Sequence, residues 1–311
     1  VARNQQPLVL HAPAIDSNRC AAAYLIRSFR DVPVNIQVPE PNHTFQSGLF
    51  LPREHPDWLG RSSYPARVVL LSAGALVILT HLNGGAPAVR ILLQDLLFFE
   101  KGHNTHRGWL RFIEKGADHR LPYRRHCDTA IEEFLNGFRE AYLPGMGFPT
   151  IAPGEFGEAP DLKFDNAERF ELQPGERVLF QFFSPAAKDL TTSWIFPWES
   201  WTASDLVAIT SRRVLWITDR VEGRYDFYAT VTRSAPAETL SEVSVESADE
   251  GCALSIKFSG GSLWSASLPM GRQADALRFA EAVTRFRECR AGFNESAAPG
   301  LGDEVCLVTR L

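Results

Sequence analysis

The 311-residue chain lacks most of the motifs that announce chemistry. It contains no Gly-x-Ser-x-Gly, no phosphate loop ending in Gly-Lys-Ser/Thr, no His-Glu-x-x-His and no Gly-x-Gly-x-x-Gly. Those absences remove the local signatures of elbow-type hydrolases, P-loop nucleotidases, zincins and dinucleotide enzymes, while a site assembled in space stays open. The five cysteines (Cys20, Cys127, Cys252, Cys289 and Cys306) are odd in number and scattered, with no Cys-x-x-Cys pair. That pattern speaks against a disulfide framework and a cysteine-built zinc site, and for a reducing compartment. No stretch approaches the roughly 18 to 20 unbroken apolar residues of a membrane span. The opening Val1–Gln6 has no apolar core of signal-peptide length. The expectation is a cytoplasmic, soluble protein.

What is present is an ordinary globular composition, unevenly arranged. Apolar residues at 45% and charged residues at 22% exclude disordered and fibrous classes. Residues 1–150 carry 16 Lys+Arg against 13 Asp+Glu, and residues 151–311 carry 16 against 24, so the halves are +3 and −8. The acidic balance argues against general nucleic-acid affinity. All eight histidines (11, 43, 55, 81, 103, 106, 119 and 126) fall in the first half, so imidazole chemistry is confined there. The Pro/Gly-dense stretch 143–160 forbids helix or central strand and marks a linker, and 296–302 sets off a short tail.

The halves resemble each other. Val68–Ile78 lies over Val207–Ile217, Leu93–Leu96 over Leu240–Val243, Leu110–Phe112 over Ile256–Phe258, and Phe138–Glu140 over Phe286–Glu288, in the same order and with nearly constant late offsets. Each copy reads as strands followed by one helix. In the second, strands are expected at Glu176–Phe183, Leu206–Thr210, Val214–Thr218, Asp226–Val231 and Ser241–Val245. A Gly260-Gly261 hairpin follows, with Leu254, Ile256 and Phe258 facing Trp264, Ala266 and Leu268. Ala276, Phe279, Ala280, Val283 and Phe286 then form a helical stripe, as do Ile131, Phe134, Leu135, Phe138 and Tyr142 in the first copy. Thr129 with Glu132 reads as a capping box. In the first copy Val34–Val38 and Phe45–Leu51 compete as first strand, Leu8–His11 reads as a strand, and Ser17–Arg30 reads as a helix.

The stretch Val207–Asp219, with Ile209-Thr210-Ser-Arg-Arg213-Val214-Leu215 at its centre, resembles the Leu-Thr-x-x-Arg-Leu-Leu strand–turn–strand of bacterial pleckstrin-homology-like (PH-like) and GRAM-type domains. With the glycine hairpin and terminal helix the likeness covers about 176–290. The first copy departs from it, having Ala73-Gly74-Ala75 in place of Arg212-Arg213-Val214. The resemblance implies a mainly β fold with one C-terminal helix per domain: two seven-stranded antiparallel barrels plus a small N-terminal α/β embellishment. The expected organisation is a first domain over 1–148 with an extension of about 1–60, a linker at 149–168, a second domain over 169–291 and a tail at 292–311. Phosphoinositide-binding members carry a Lys-then-Lys/Arg-x-Arg pattern across their first two strands. This chain has only Arg177 and Lys188 between 176 and 210, so that activity is not carried over.

Four clusters merit weighing. His11, Asp16 and Cys20 admit a Cys/His nucleophile, against the ordinary reading of a helix cap and a buried small cysteine. His103, His106, His119 and His126 supply enough nitrogen for a metal-dependent hydrolase, against exposed histidines at the ends of a 107–123 hairpin. Lys101, Arg107, Arg111, Arg120, Arg124 and Arg125 form a basic region in which 107, 109, 111, 113 and 115 share a strand face beside Trp109. Such a face meets anionic lipid or nucleic acid, or is simply solvated. Trp194, Phe196, Trp198 and Trp201 crowd into eight residues and read as a cover for a barrel mouth, a protein-contact surface, or a membrane-dipping loop that the −8 charge opposes. The expectation is a non-enzymatic scaffold that binds a protein partner or itself through the tryptophan loop. No cofactor, no metal, weak lipid affinity and no sequence-specific nucleic-acid binding are expected.

Overall fold

The computed structural model describes residues 22–33, 36, 45–53, 64–80, 88–105, 107–143, 153–187, 202–221, 224–248 and 251–296. They fall into two compact units, one drawn from 1–93 and 122–141, the other from 94–121 and 142–311.

The first unit is built on an antiparallel sheet of five strands in chain order: β1 (Tyr24–Ile26), β2 (Phe45–Leu51), β3 (Arg67–Ser72), β4 (Ala75–Thr80) and β5 (Val89–Leu92). Aromatic and β-branched residues make these strands, and Gly74 closes the β3–β4 turn at φ +77°, a conformation that suits glycine. Ile26, Phe50, Val68, Leu70 and Leu79 form the core on one face, each worth about 1.5–3 kcal/mol of burial. Helix α1 (Asp128–Tyr142) carries the expected stripe, with Ile131, Phe134, Leu135 and Phe138 all buried. Two local expectations are corrected. Tyr24–Ile26 is a strand rather than part of a 17–30 helix, because Tyr24, Leu25 and Ile26 pair with Phe50, Leu49 and Gly48. Thr129 lies inside α1 rather than capping it; a 3-10 turn over Arg125–Cys127 leads into the helix, and Arg125 Nε donates to Asp128 Oδ2 at 2.9 Å. Of the two candidate first strands, Phe45–Leu51 is a strand, and Val34–Val38 lies, apart from Ile36, outside the described residues. Leu8–His11 lies outside the described residues.

The second unit contains β6 (Leu96–His103), β7 (Arg107–Glu114), β8 (Ala117–Arg124), β9 (Gly154–Gly157), α2 (Leu162–Glu171), β10 (Val178–Ser184), β11 (Asp205–Thr210), β12 (Arg213–Thr218), the small pair β13 (Arg220–Val221) and β14 (Arg224–Tyr225), β15 (Thr230–Pro236), β16 (Leu240–Ala248), β17 (Gly251–Phe258), β18 (Leu263–Pro269) and α3 (Gln273–Ser296). The end of β8 crosses into the first unit. An eight-stranded sheet runs in the order β8-β7-β6-β15-β12-β11-β10-β9, and β16-β17-β18 form a separate three-stranded sheet. β11 and β12 are buried along their whole length because both faces are covered. On one face Phe164 of α2 packs with Phe183, Leu206, Ala208, Leu215 and Ile217. On the other, Val207, Val214 and Trp216 join Trp264 of β18 and Phe279, Val283 and Phe286 of α3.

The fold is mainly β with a C-terminal helix, but the expected closed barrels are not formed: the sheets are open. With the two-residue strands β13 and β14 set aside, the order of four strands, a 3-10 turn, three strands, a 3-10 turn and a helix occurs twice, as β2–β5, β6–β8 and α1, and as β10, β11, β12 and β15, β16–β18 and α3. The three-stranded half of the earlier series is spent on the later one, since β6 pairs antiparallel with β15. The expected linker 149–168 contains β9 and the start of α2. β9 pairs in parallel with β10 at the sheet's edge, where a strand between prolines is tolerated. The strand expected at Asp226–Val231 begins only at Thr230, because Asp226–Ala229 is a turn: the Ala229 N–H donates to Asp226 O at 2.9 Å and the Tyr228 N–H to Asp226 Oδ1 at 3.0 Å.

Candidate functional site

One end of the eight-stranded sheet gathers exposed aromatics on a pinned turn. The Thr202 N–H donates to Ala187 O at 2.8 Å and the Ala187 N–H to Thr202 Oγ1 at 2.9 Å, closing the connection between β10 and β11. Next in the chain, the Ser204 N–H donates to Asp219 Oδ1 at 2.8 Å. Asp219 Oδ2 lies 3.8 Å from Lys163 Nζ, and that ammonium donates to Phe227 O at 2.8 Å. It also sits 5.5 Å from the ring centres of both Phe164 and Phe227, within cation–π range. The Asp226 N–H donates to Asp219 O at 2.9 Å, and the rings of Phe227 and Tyr228 meet edge to face at 5.4 Å. A turn held by this many bonds presents Phe227 and Tyr228 at 62% and 71% exposure, and Leu162, the residue before Lys163 in α2, is 75% exposed. Burial lowers the Lys163 pKa and raises that of Asp219.

Behind this end the carboxyl groups are deep. Asp205 is buried at the start of β11, where its Oδ1 accepts the Trp216 indole N–H at 2.8 Å and its Oδ2 has no hydrogen-bond partner. Burial pushes its pKa up to about 6 despite the indole bond. Glu168 in α2 is buried with Oε1 unpartnered, and burial together with Asp165 raises its pKa to about 7. The Thr210-x-x-Arg213 motif is an internal lock rather than a surface. Arg213 is fully buried; its Nε donates to Glu176 Oε1 at 2.9 Å, Nη2 to Glu176 Oε2 at 3.1 Å, and Thr210 Oγ1 reaches the same carboxylate at 2.6 Å.

Three of the six residues of the basic region are bound to carboxylates. Lys101 Nζ is 3.2 Å from Glu171, and Arg125 is bound to Asp128. Arg111 bridges Asp118 at 2.5 Å and Glu100 at 3.3 Å, and the bond to Arg111 holds the Asp118 pKa down. Trp109, expected on an open face, is 5% exposed: its Nε1 donates to Glu100 Oε1 at 2.8 Å and the Arg120 guanidinium lies 5.2 Å from its ring. Arg107 and Arg124 are exposed on β7 and β8. Glu100 and its partner Arg233 went unmarked in the sequence, as did Glu176, Phe227 and Tyr228. The adjacent Phe-Tyr after Asp226 was the one local signal available.

The histidines are placed in different settings. His103 ends β6 opposite Gly108 and Thr230, and His119 Nε2 lies 2.9 Å from Glu114 Oε1. His126 lines an open groove of the first unit, about 540 Å³, with Tyr24, Arg27, Asp31, Thr129 and Glu133. Among the described residues no group of three or more His, Cys, Asp or Glu side chains is placed to hold a metal ion. No helix among them is long and apolar enough to cross a membrane. His106, the His11–Cys20 cluster and the four aromatics Trp194, Phe196, Trp198 and Trp201 lie outside the described residues. Cys127 and Cys252 are buried. No protein-family model and no curated protein matches the chain.

Proposed function

We propose that the chain is a non-enzymatic binding protein of the cytoplasm, built from two PH-like repeats, that associates with protein partners and, in the simplest case, with itself. The observation that carries this reading is the exposed aromatic turn of Phe227 and Tyr228, which meet edge to face. Exposed aromatics on a turn already fixed by Lys163 and Asp226 lose little conformational freedom on contact, which is what concentrates binding energy in a few residues. We further propose that Trp194, Phe196, Trp198 and Trp201, which lie in sequence between Ala187 and Thr202, take part in partner contact.

The twofold order of strands, turns and helix supports the tandem reading. The carboxylate partners of Lys101, Arg111 and Arg125 support a stabilising role for the basic region over an anionic-lipid site. Self-association is tested by sedimentation of the full chain and of Phe227→Ala/Tyr228→Ala. The reading expects concentration-dependent association that the double variant loses while keeping its melting temperature.

A further inference from the structure

We propose that the outer edge of β16 is a docking site for an extended, basic segment of a partner protein, which adds to the three-stranded sheet as a fourth strand. β16 is the nine-residue strand at the end of the order β16-β17-β18, and no described strand pairs with its outer side. Its inner face is spent: Val243 belongs to the core cluster that holds Phe279 and Val283 of α3, and Val245 packs against that cluster. The outward face carries Glu242, Ser244 and Glu246, with both glutamates exposed. Glu242 already meets Lys257 of β17 at 2.9 Å, so this face accepts cations.

The molecule contains its own precedent. β6 and β16 each follow directly on a 3-10 turn, Leu93–Asp95 and Ala237–Thr239, so they occupy the same place in the two series. β6 is completed by an added strand, β15, which brings Arg233 opposite Glu100 and binds it at 2.9 Å. Counted from the turn, the positions of Phe98, Glu100 and Gly102 on β6 are taken on β16 by Glu242, Ser244 and Glu246. The edge that accepts an internal strand bears one acidic group and an aromatic; the edge that no described strand pairs bears two acidic groups and none. Two glutamates on one strand face repel a second copy of themselves and any acidic strand, while the backbone offers the same ladder as β6. The complement is an extended segment with Lys or Arg at alternate positions, on the side it shares with Glu242 and Glu246.

This surface is separate from the aromatic end and extends the binding reading to a second partner chemistry. The test uses the full chain and a short blocked peptide alternating valine with lysine and arginine, followed by fluorescence anisotropy and by hydrogen exchange. Saturable binding with slowed exchange confined to 240–248 is expected. Binding should weaken at least about tenfold for Glu242→Lys/Glu246→Lys and for a peptide N-methylated at alternate amides. Phe227→Ala/Tyr228→Ala should bind the peptide unchanged, so a failed aromatic surface and a failed β16 edge give different results. No saturable binding, equal binding of the N-methylated peptide, or protection elsewhere would each overturn the proposal; the first would leave Glu242 and Glu246 as edge protection only. Exchange on the unmodified chain keeps the test decisive if the charge-reversal variant misfolds.

Discussion

Arg233 Nε donates to Glu100 Oε2 at 2.9 Å, and the bond joins residues 133 apart in sequence. Glu100 is 3% exposed and its other oxygen takes the Trp109 indole and Arg111, so one carboxylate ties β7, β6 and β15 together. Removing one member of such a set strands the others without partners, which costs more than the pair itself is worth. Glu100→Ala is expected to lose about 3–5 kcal/mol in urea unfolding. The paired change Glu100→Leu/Arg233→Met should lose markedly less. Equal losses in both would show that packing rather than charge holds the seam.

Gly102 lies under the Trp109 ring, which fills the space a Cβ would need. Gly102→Ala should push the indole off Glu100 and destabilise by about 1–3 kcal/mol, read by chemical denaturation and by a change in tryptophan fluorescence. An unchanged spectrum would remove Trp109 from the account.

Arg213 has no exposed surface and shares Glu176 with Thr210. Arg213→Ala is expected to cost about 3–5 kcal/mol by leaving the Glu176 charge buried without its cation, and Thr210→Val about 1.5–3 kcal/mol, since its hydroxyl bonds the Glu176 carboxylate and accepts the Arg212 and Arg213 N–H groups. A melting temperature that stays put for Arg213→Ala would contradict the internal-lock assignment.

Asp205 and Glu168 are raised by burial to about 6 and about 7. Because the folded values lie above the unfolded ones, their contribution is fully present below about pH 4 and is lost as pH climbs through 6 and 7. Asp118, held low by Arg111, works in the opposite sense and weakens the fold only at more acid pH. Melting temperature should therefore fall from about pH 5 to about pH 8, and Asp205→Asn/Glu168→Gln should flatten that slope. A slope that survives the double variant would assign it to other groups.

The local parts of this architecture were legible. The stripe of α1, the stripe of α3 and the Gly260-Gly261 hairpin depend on near neighbours, and each lies where its period placed it; Gly261 takes φ +86° in that turn. The errors share a cause. Nothing near Glu100 in the sequence announces Arg233, so the transfer of β6–β8 onto β15 was invisible and closed barrels were the natural expectation. Phe227 and Tyr228 read as strand because they are aromatic, yet the Asp226 side chain bends the chain there and leaves them exposed. The basic region read as a face because charge counts do not reveal that Glu171, Asp118, Glu100 and Asp128 lie within reach.

Sedimentation velocity of the full chain, from low to high micromolar concentration, tests the proposed aromatic contact surface most directly. The account predicts a reversible shift toward dimer for the unmodified protein. It also predicts a monomer with unchanged melting for Phe227→Ala/Tyr228→Ala, since these side chains are 62% and 71% exposed and hold no core together. A monomer at every concentration, or the same association in the double variant, would contradict it.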